Sequence, residues 1–211
     1  SYDTACSAAL AACHAGLRAL QLSECVDGLV AGVNMMLGPR VSTSFAVAGM
    51  TSVRGRSHTF DARADGFARS EACGALALSG AAEAGRVDMC GSAVRQDGRS
   101  ASLTAPNGQA QQGLLAAALQ DAGAAADSLM LNEAHGTGTA LGDPIEAGSL
   151  VGAVHRAREA PLGLGGVKTN IGHTEQAAGM TGLLKLALAS WCEHSSRALR
   201  MRGAGADAPS E

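Results

Sequence analysis

The chain has 211 residues, 46% of them hydrophobic and 17% charged, enough apolar material for a folded domain with its own core. Aromatic residues make up only 2%, so that core must be built from Ala, Leu, Val and Met. A formal net charge of -3 and a pI near 6.1 give no overall electrostatic reason to expect nucleic acid or an anionic membrane as partner, and no apolar run reaches the length of a membrane span.

Residues 7–22, rich in Ala and Leu, predict a helix whose first turn carries Cys6. Short apolar runs at residues 27–33 and 74–79 predict buried strands, and the mixed stretch at 35–69 predicts loops and short helices. Residues 90–94 predict a strand before the Asp97-Gly98 turn. Pro106-Asn107-Gly108 then opens a predicted helix over 109–122, with Leu115, Ala118, Leu119 and Ala122 on one face and Gly123 as its stop. A strand at 129–132, a helix at 144–158, a strand at 162–167 and a helix at 174–189 follow. Asp143, Pro144 and Glu146 fall at N-cap, N1 and N3 of the second of these, a capping-box-like start that positions the loop before it. Alternating strands and helices argue an α/β class. No tandem repeat or interdomain linker interrupts the chain, and the Gly-, Ala- and Pro-rich tail at 202–211 is expected to fray.

Cys6, Cys13, Cys25, Cys73, Cys90 and Cys192 form no Cys-x-x-Cys pair and no regular spacing, which argues against a zinc site and for reduced thiols in an intracellular compartment, cytoplasm and plastid being equally open. His173-Thr174-Glu175 mimics the His-x-Glu of zinc deaminases, but no Pro-Cys-x-x-Cys follows it, so no metal centre is expected.

Three separated segments carry the chemistry: Asp3-Thr4-Ala5-Cys6-Ser7-Ala8, Glu133-Ala134-His135-Gly136-Thr137-Gly138-Thr139 and Lys168-Thr169-Asn170-Ile171-Gly172-His173. One cysteine and two histidines sit in turns rich in Gly and Thr, where backbone room and side-chain direction are tightly set. A thiol becomes a good nucleophile when ionised, and a helix N-terminus favours the thiolate, so Cys6 is expected to have a depressed pKa. In this order the segments resemble the Cys-His-His site of the β-ketoacyl synthase family, and their surroundings resemble the ketosynthase domain of a multidomain polyketide synthase. Gly32-Val33-Asn34, the 60–67 segment Phe-Asp-Ala-Arg-Ala-Asp-Gly-Phe, Asn107-Gly108 and Gly142-Asp143-Pro144-Ile145-Glu146 extend the resemblance to about Leu188.

That resemblance implies a thiolase-like fold of layered αβαβα type, with residues 1–201 forming a partial ketosynthase domain. It implies that Cys6 takes an acyl group from the phosphopantetheine thioester of an acyl carrier protein, and that His135 and His173 stabilise the enolate formed as a malonyl-type extender loses CO2. Lys168 matches the family's active-site lysine, and Thr137 and Thr139 match positions whose hydroxyls bind the pantetheine arm. No directly bound cofactor is implied. The implied partners are the carrier protein, neighbouring synthase domains and, in the intact family, a second copy in a homodimer. The family's segment before the nucleophile and its C-terminal Phe-Gly-Phe-Gly-Gly-Thr-Asn turn have no counterpart here, so the domain is expected to be incomplete. Ser70 and Ala72 replace two usual glycines, which predicts a local change of backbone.

Other readings stay open beside it. A fatty-acid synthase would use the same chemistry, and a truncated inactive scaffold would keep the same residues. A thiolase is disfavoured because it pairs its nucleophile with a second cysteine. Cys13, Cys25, Cys73, Cys90, Cys192, His14, His58, His155 and His194 match no catalytic position. Arg54, Arg56, Arg63 and Arg69 form a basic cluster that could meet an acidic carrier protein, though loop salt bridges explain it more simply.

Overall fold

The computed structural model describes residues 1–81, 87–102 and 105–203, with side chains described as far as residue 191 apart from residue 157. A three-residue 3-10 turn, Ala5–Ser7, leads into α1, Ala8–Gln21, close to the predicted span. Strand β1, Asp27–Asn34, pairs antiparallel with β2, Ala72–Ser79, in a register that sets Asp27 opposite Ser79 and Asn34 opposite Ala72. Between them lies α2, Pro39–Val47, with Pro39 in its first turn.

The two strands are half-buried rather than buried. Val30 and Asn34 point inward, whereas Leu29 and Val33 on the alternate face are 76% and 49% exposed. The period-two geometry of a strand sends neighbouring residues to opposite faces, and helices cover only one of them. On that covered face Ala9, Cys13, Val30 and Met180 form the core, with Ala12, Leu76, Leu78, Met89, Leu183 and Leu184 packed around it. The low aromatic content is met as composition requires, by Ala, Leu, Val and Met, with Cys13 among them.

The strand predicted at 90–94 is absent; this stretch is irregular. The polar groups of Ser92 are taken by distant side chains: its N–H donates to Asp121 at 2.8 Å, its carbonyl accepts from Arg18 at 2.9 Å, and its hydroxyl meets His14 Nδ1 at 2.8 Å. With Arg18 also 2.7 Å from Asp121, this network ties α1 to the end of α3, Gly108–Asp121. Helix α3 starts as predicted: the Asn107 side chain accepts from the N–H groups of Gln109 and Ala110.

The second half brings β3, Leu131–Glu133, parallel to β4, Gly163–Gly165, with α4, Gly142–Ala153, packed on α3. A short helix α5, Lys168–Ile171, a 3-10 turn Glu175–Ala177 and the long helix α6, Ala178–Gly203, complete the order. Helix α6 runs to Gly203, and residues 204–211, most of the tail expected to fray, lie outside the described residues. Ser70 and Ala72 both keep negative φ, and β2 starts at Ala72.

Candidate active site

Cys6 lies in the 3-10 turn ahead of α1, immediately after Ala5, whose φ of 53° lies in the left-handed region. That sharp entry places a thiol at a helix start with a small residue bearing the backbone strain. Burial pushes the Cys6 thiol up; its own backbone N–H and the charge of Lys168 pull it down without reversing the shift. The expectation of a depressed pKa is thereby corrected. The helix that follows at once still offers its N-terminal dipoles, but burial of the sulfur against the turn at 175–177 and the start of α6 outweighs them.

His135 follows β3 and is held through its backbone. The Glu146 carboxylate of α4 accepts the N–H groups of His135 at 2.5 Å and Gly136 at 2.8 Å. Asp143 accepts from Gly138 at 3.0 Å and Thr139 at 3.4 Å with one oxygen, and from Phe60 at 2.7 Å with the other. The capping box predicted from these residues does not form: α4 begins at Gly142, Asp143 lies inside it, and both carboxylates face the preceding turn. The N-terminal donor of the helix is met instead by Thr139, whose Oγ1 accepts the Gly142 N–H at 3.1 Å. Thr137 and Thr139 hydroxyls lie 3.3 Å apart. Gly136, at φ 47°, leaves room where a Cβ would sit 2.4 Å from the Thr59 methyl, and Thr59 donates to the Gly136 carbonyl at 2.5 Å.

His173 is buried, and its backbone bridges the segment at Arg69: its N–H donates to Ala68 at 2.7 Å and its carbonyl accepts from Ser70 at 3.0 Å. Its Nδ1 accepts the Glu175 N–H at 3.0 Å. A neutral imidazole that accepts at Nδ1 must carry its proton on Nε2, so His173 is left as an Nε2–H donor. The centre of the Phe67 ring lies 5.0 Å from the centre of its own in an edge-on arrangement, and the centre of the His135 ring 5.5 Å away at 88°. Burial pushes His173 down to about 3, helped by Lys168 and His135. Crowding and Lys168 also lower His135, and the water reaching this more exposed ring tempers that push. Both imidazoles are therefore neutral at physiological pH.

Lys168, at the start of α5, is 4% exposed. Burial lowers its pKa, opposed in turn by Glu146, Cys6, Glu133 and Asp143. Its charge thus favours the Cys6 thiolate and disfavours a proton on either histidine.

The structure brings Cys6, His135 and His173 together: the sulfur and one ring nitrogen from each histidine lie within 4.8 Å of one another. Such donors invite comparison with a zinc site, but the fit is poor. His173 keeps a proton on the nitrogen left to face a ligand, and Lys168 adds positive charge. The arrangement suits a thiol that attacks a carbonyl beside neutral N–H donors aimed at developing negative charge. Sequence reasoning missed Glu175, whose N–H fixes His173, and Arg69, which binds the Glu175 carboxylate with two nitrogens. The His173-x-Glu175 spacing is the local signal for Glu175. Of the arginine cluster, Arg54 lies 3.7 Å from Asp65 and Arg63 2.7 Å from Asp61, as loop salt bridges predict.

Comparison with known proteins agrees over most of the chain. The model described as "Beta-ketoacyl synthase, N-terminal domain" matches residues 1–84, and that described as "Beta-ketoacyl synthase, C-terminal domain" matches residues 87–190. A phenolphthiocerol/phthiocerol polyketide synthase of Mycobacterium tuberculosis is 46% identical over 195 residues, which cover 89% of this chain and 10% of that protein. Erythronolide synthase EryA2 of Saccharopolyspora erythraea is 45% identical over 194 residues, covering 89% of this chain and 5% of that one. Among solved structures, the ketosynthase from module 6 of the bacillaene synthase of Bacillus subtilis 168 superposes with a TM-score of 0.83 at 37% identity, over 89% of this chain and 34% of that chain. The fold is therefore thiolase-like, and the chain spans about a third of that structure and a tenth or less of these curated relatives.

Proposed function

Since the chain belongs to the β-ketoacyl synthase family, we propose that it carries the condensing site of a multidomain polyketide synthase. The supporting observation is the convergence of the Cys6 sulfur with two neutral imidazoles, one fixed as an Nε2–H donor. Cys6 attacks the thioester of an acyl chain on the phosphopantetheine arm of an acyl carrier protein. The carbon–sulfur bond to pantetheine breaks, and the departing thiol takes the proton that Cys6 gives up. A malonyl-type thioester then replaces the spent carrier, its carbonyl oxygen facing His135 and His173. As CO2 leaves, the electron pair of the broken bond forms an enolate, and the two imidazole N–H groups stabilise its oxygen without giving up their protons. The enolate carbon attacks the acyl carbon on Cys6. A carbon–carbon bond forms, the bond to Cys6 breaks, and the released thiolate takes a proton from water.

Neutral histidines suit this role, since an enolate generated beside an imidazolium would be protonated before it could attack. Lys168 supports the histidines' charge state, and Thr137 and Thr139 line the approach of the pantetheine arm. The carrier protein, neighbouring synthase domains and a second copy of the domain are the partners of this reading. The polyketide synthase relatives favour it over a fatty-acid synthase. To test it, acyl transfer and malonyl decarboxylation are measured separately with carrier-bound substrates. His173→Ala slows decarboxylation on the order of 10²- to 10³-fold while Cys6 is still acylated, and Cys6→Ala abolishes acylation but spares part of the decarboxylation. Equal loss of both steps in both variants refutes the division of roles.

A further inference from the structure

His173 owes its tautomer to one backbone N–H, and that N–H belongs to a residue in an unfavourable conformation. Glu175 has φ 44°, a region in which a side chain with a Cβ is strained. A residue stays there only when its surroundings hold it. Here the surroundings are specific. The Glu175 carboxylate is held by two guanidinium nitrogens of Arg69, and the two side chains are only 11% and 9% exposed. Arg69 is itself anchored: it donates to Ser42 Oγ, and its guanidinium lies 5.3 Å from the centre of the Phe45 ring. Its main chain runs beside His173 as the bridge that ties residues 68–70 to the histidine. The segment around Arg69 therefore holds the histidine by its backbone, through Ala68 and Ser70, while the Arg69 side chain reaches the ring nitrogen through Glu175.

We propose that the buried Arg69–Glu175 ion pair is a positioning device for His173, locking the left-handed turn at Glu175 so that its N–H meets Nδ1 and the ring presents Nε2–H to Cys6. The pair touches no reacting atom. Loss of the Arg69 guanidinium leaves a buried carboxylate uncompensated, and Glu175 turns toward water to hydrate it. The backbone then leaves φ 44°, Nδ1 loses its donor, and the proton redistributes between the two ring nitrogens. Glycine at 175 reaches the same turn without help, because it has no Cβ and populates positive φ freely. A Gly there therefore makes Arg69 dispensable for the tautomer.

The test reads the tautomer directly, by long-range proton–nitrogen NMR of His173 in the full chain near neutral pH. Melting curves on the same samples establish that each variant is folded. The parent and Glu175→Gly show the Nε2–H form, Arg69→Ala shows a mixture with Nδ1–H, and Arg69→Ala combined with Glu175→Gly returns to Nε2–H. A pair that merely stabilises the fold lowers the melting temperature of Arg69→Ala and leaves the tautomer alone; that result, in a folded sample, overturns the proposal. If Arg69→Ala does not fold, the double variant decides, and a folded double variant lacking Nε2–H is equally fatal. A second arm rests on the condensing reading: decarboxylation falls on the order of 10²-fold in Arg69→Ala and returns to within about 10-fold in the double variant. Tautomers that shift as stated with decarboxylation unchanged would leave the positioning device standing and remove the condensing role of His173.

Discussion

Replacing Gly136 by Ala tests how the His135 turn is held, because the structure names both the strain and the atom that opposes it. The new Cβ meets the Thr59 methyl at 2.4 Å, far inside van der Waals contact, and the backbone at φ 47° disfavours any side chain. The left-handed conformation costs about 1–2 kcal/mol for Ala, and overpacking costs about 1–3 kcal/mol, so Gly136→Ala destabilises the fold by roughly 2–5 kcal/mol. Thr59→Ser removes the offending methyl and keeps the hydroxyl that donates to the Gly136 carbonyl. Alone it costs roughly 0.8 kcal/mol for the lost methyl group. Combined with Gly136→Ala it recovers the steric part, about 1–3 kcal/mol, and leaves the conformational part in place. Urea unfolding of the four members of this cycle measures the coupling. If the two changes prove additive within about 0.5 kcal/mol, Thr59 is not the wedge against this turn and the steric argument fails.

Alkylation of Cys6 rises with pH to a midpoint above the ordinary thiol value of about 8.5, and Lys168→Met moves that midpoint higher still; a downward move shows that the lysine charge is not what holds the thiol down. His173 is depressed in the folded state, so the unfolded chain binds more protons between about pH 3 and the ordinary imidazole value. Stability therefore falls as pH drops through that window, and His173→Gln flattens the slope there in acid unfolding titrations. Ser70 buries a hydroxyl with no hydrogen-bond partner, so Ser70→Ala raises stability by about 1 kcal/mol in thermal unfolding, and a loss of that size contradicts the assignment.

Local signals carried the helices well. The Ala- and Leu-rich run after Cys6 made α1, and Asn107 and Gly123 bounded α3, because caps and stops act over a few residues. Long-range partners decided the rest. Residues 90–94 have strand composition, yet Asp121 and Arg18 take the backbone groups of Ser92 that a ladder would use. Asp143 and Glu146 have cap spacing, yet the turn at His135 offers them better donors. Cys6 stands at a helix start, yet its ionisation follows burial by segments far along the chain. Cys6, His135, His173 and Lys168 were legible because their motifs are contiguous. The pairing of Arg69 with Glu175 was not, because it spans 106 residues, and the His-x-Glu spacing points to Glu175 without naming its partner.

The distance along the chain between Cys6 and His173 has a consequence during synthesis. The contacts that close the site, Thr59 to Gly136, Phe60 to Asp143 and Arg69 to Glu175, span 77, 83 and 106 residues. None can form until the later segment exists. At about 5–20 residues per second, the ribosome adds the roughly 170 residues that separate the cysteine from His173 in about 8–34 s. For that interval a nascent chain carries its thiol with neither histidine beside it and without the packing that later raises its pKa. The first residue of the site to be made thus waits longest for its neighbours, and over that interval a growing chain is at its most open to thiol-reactive compounds.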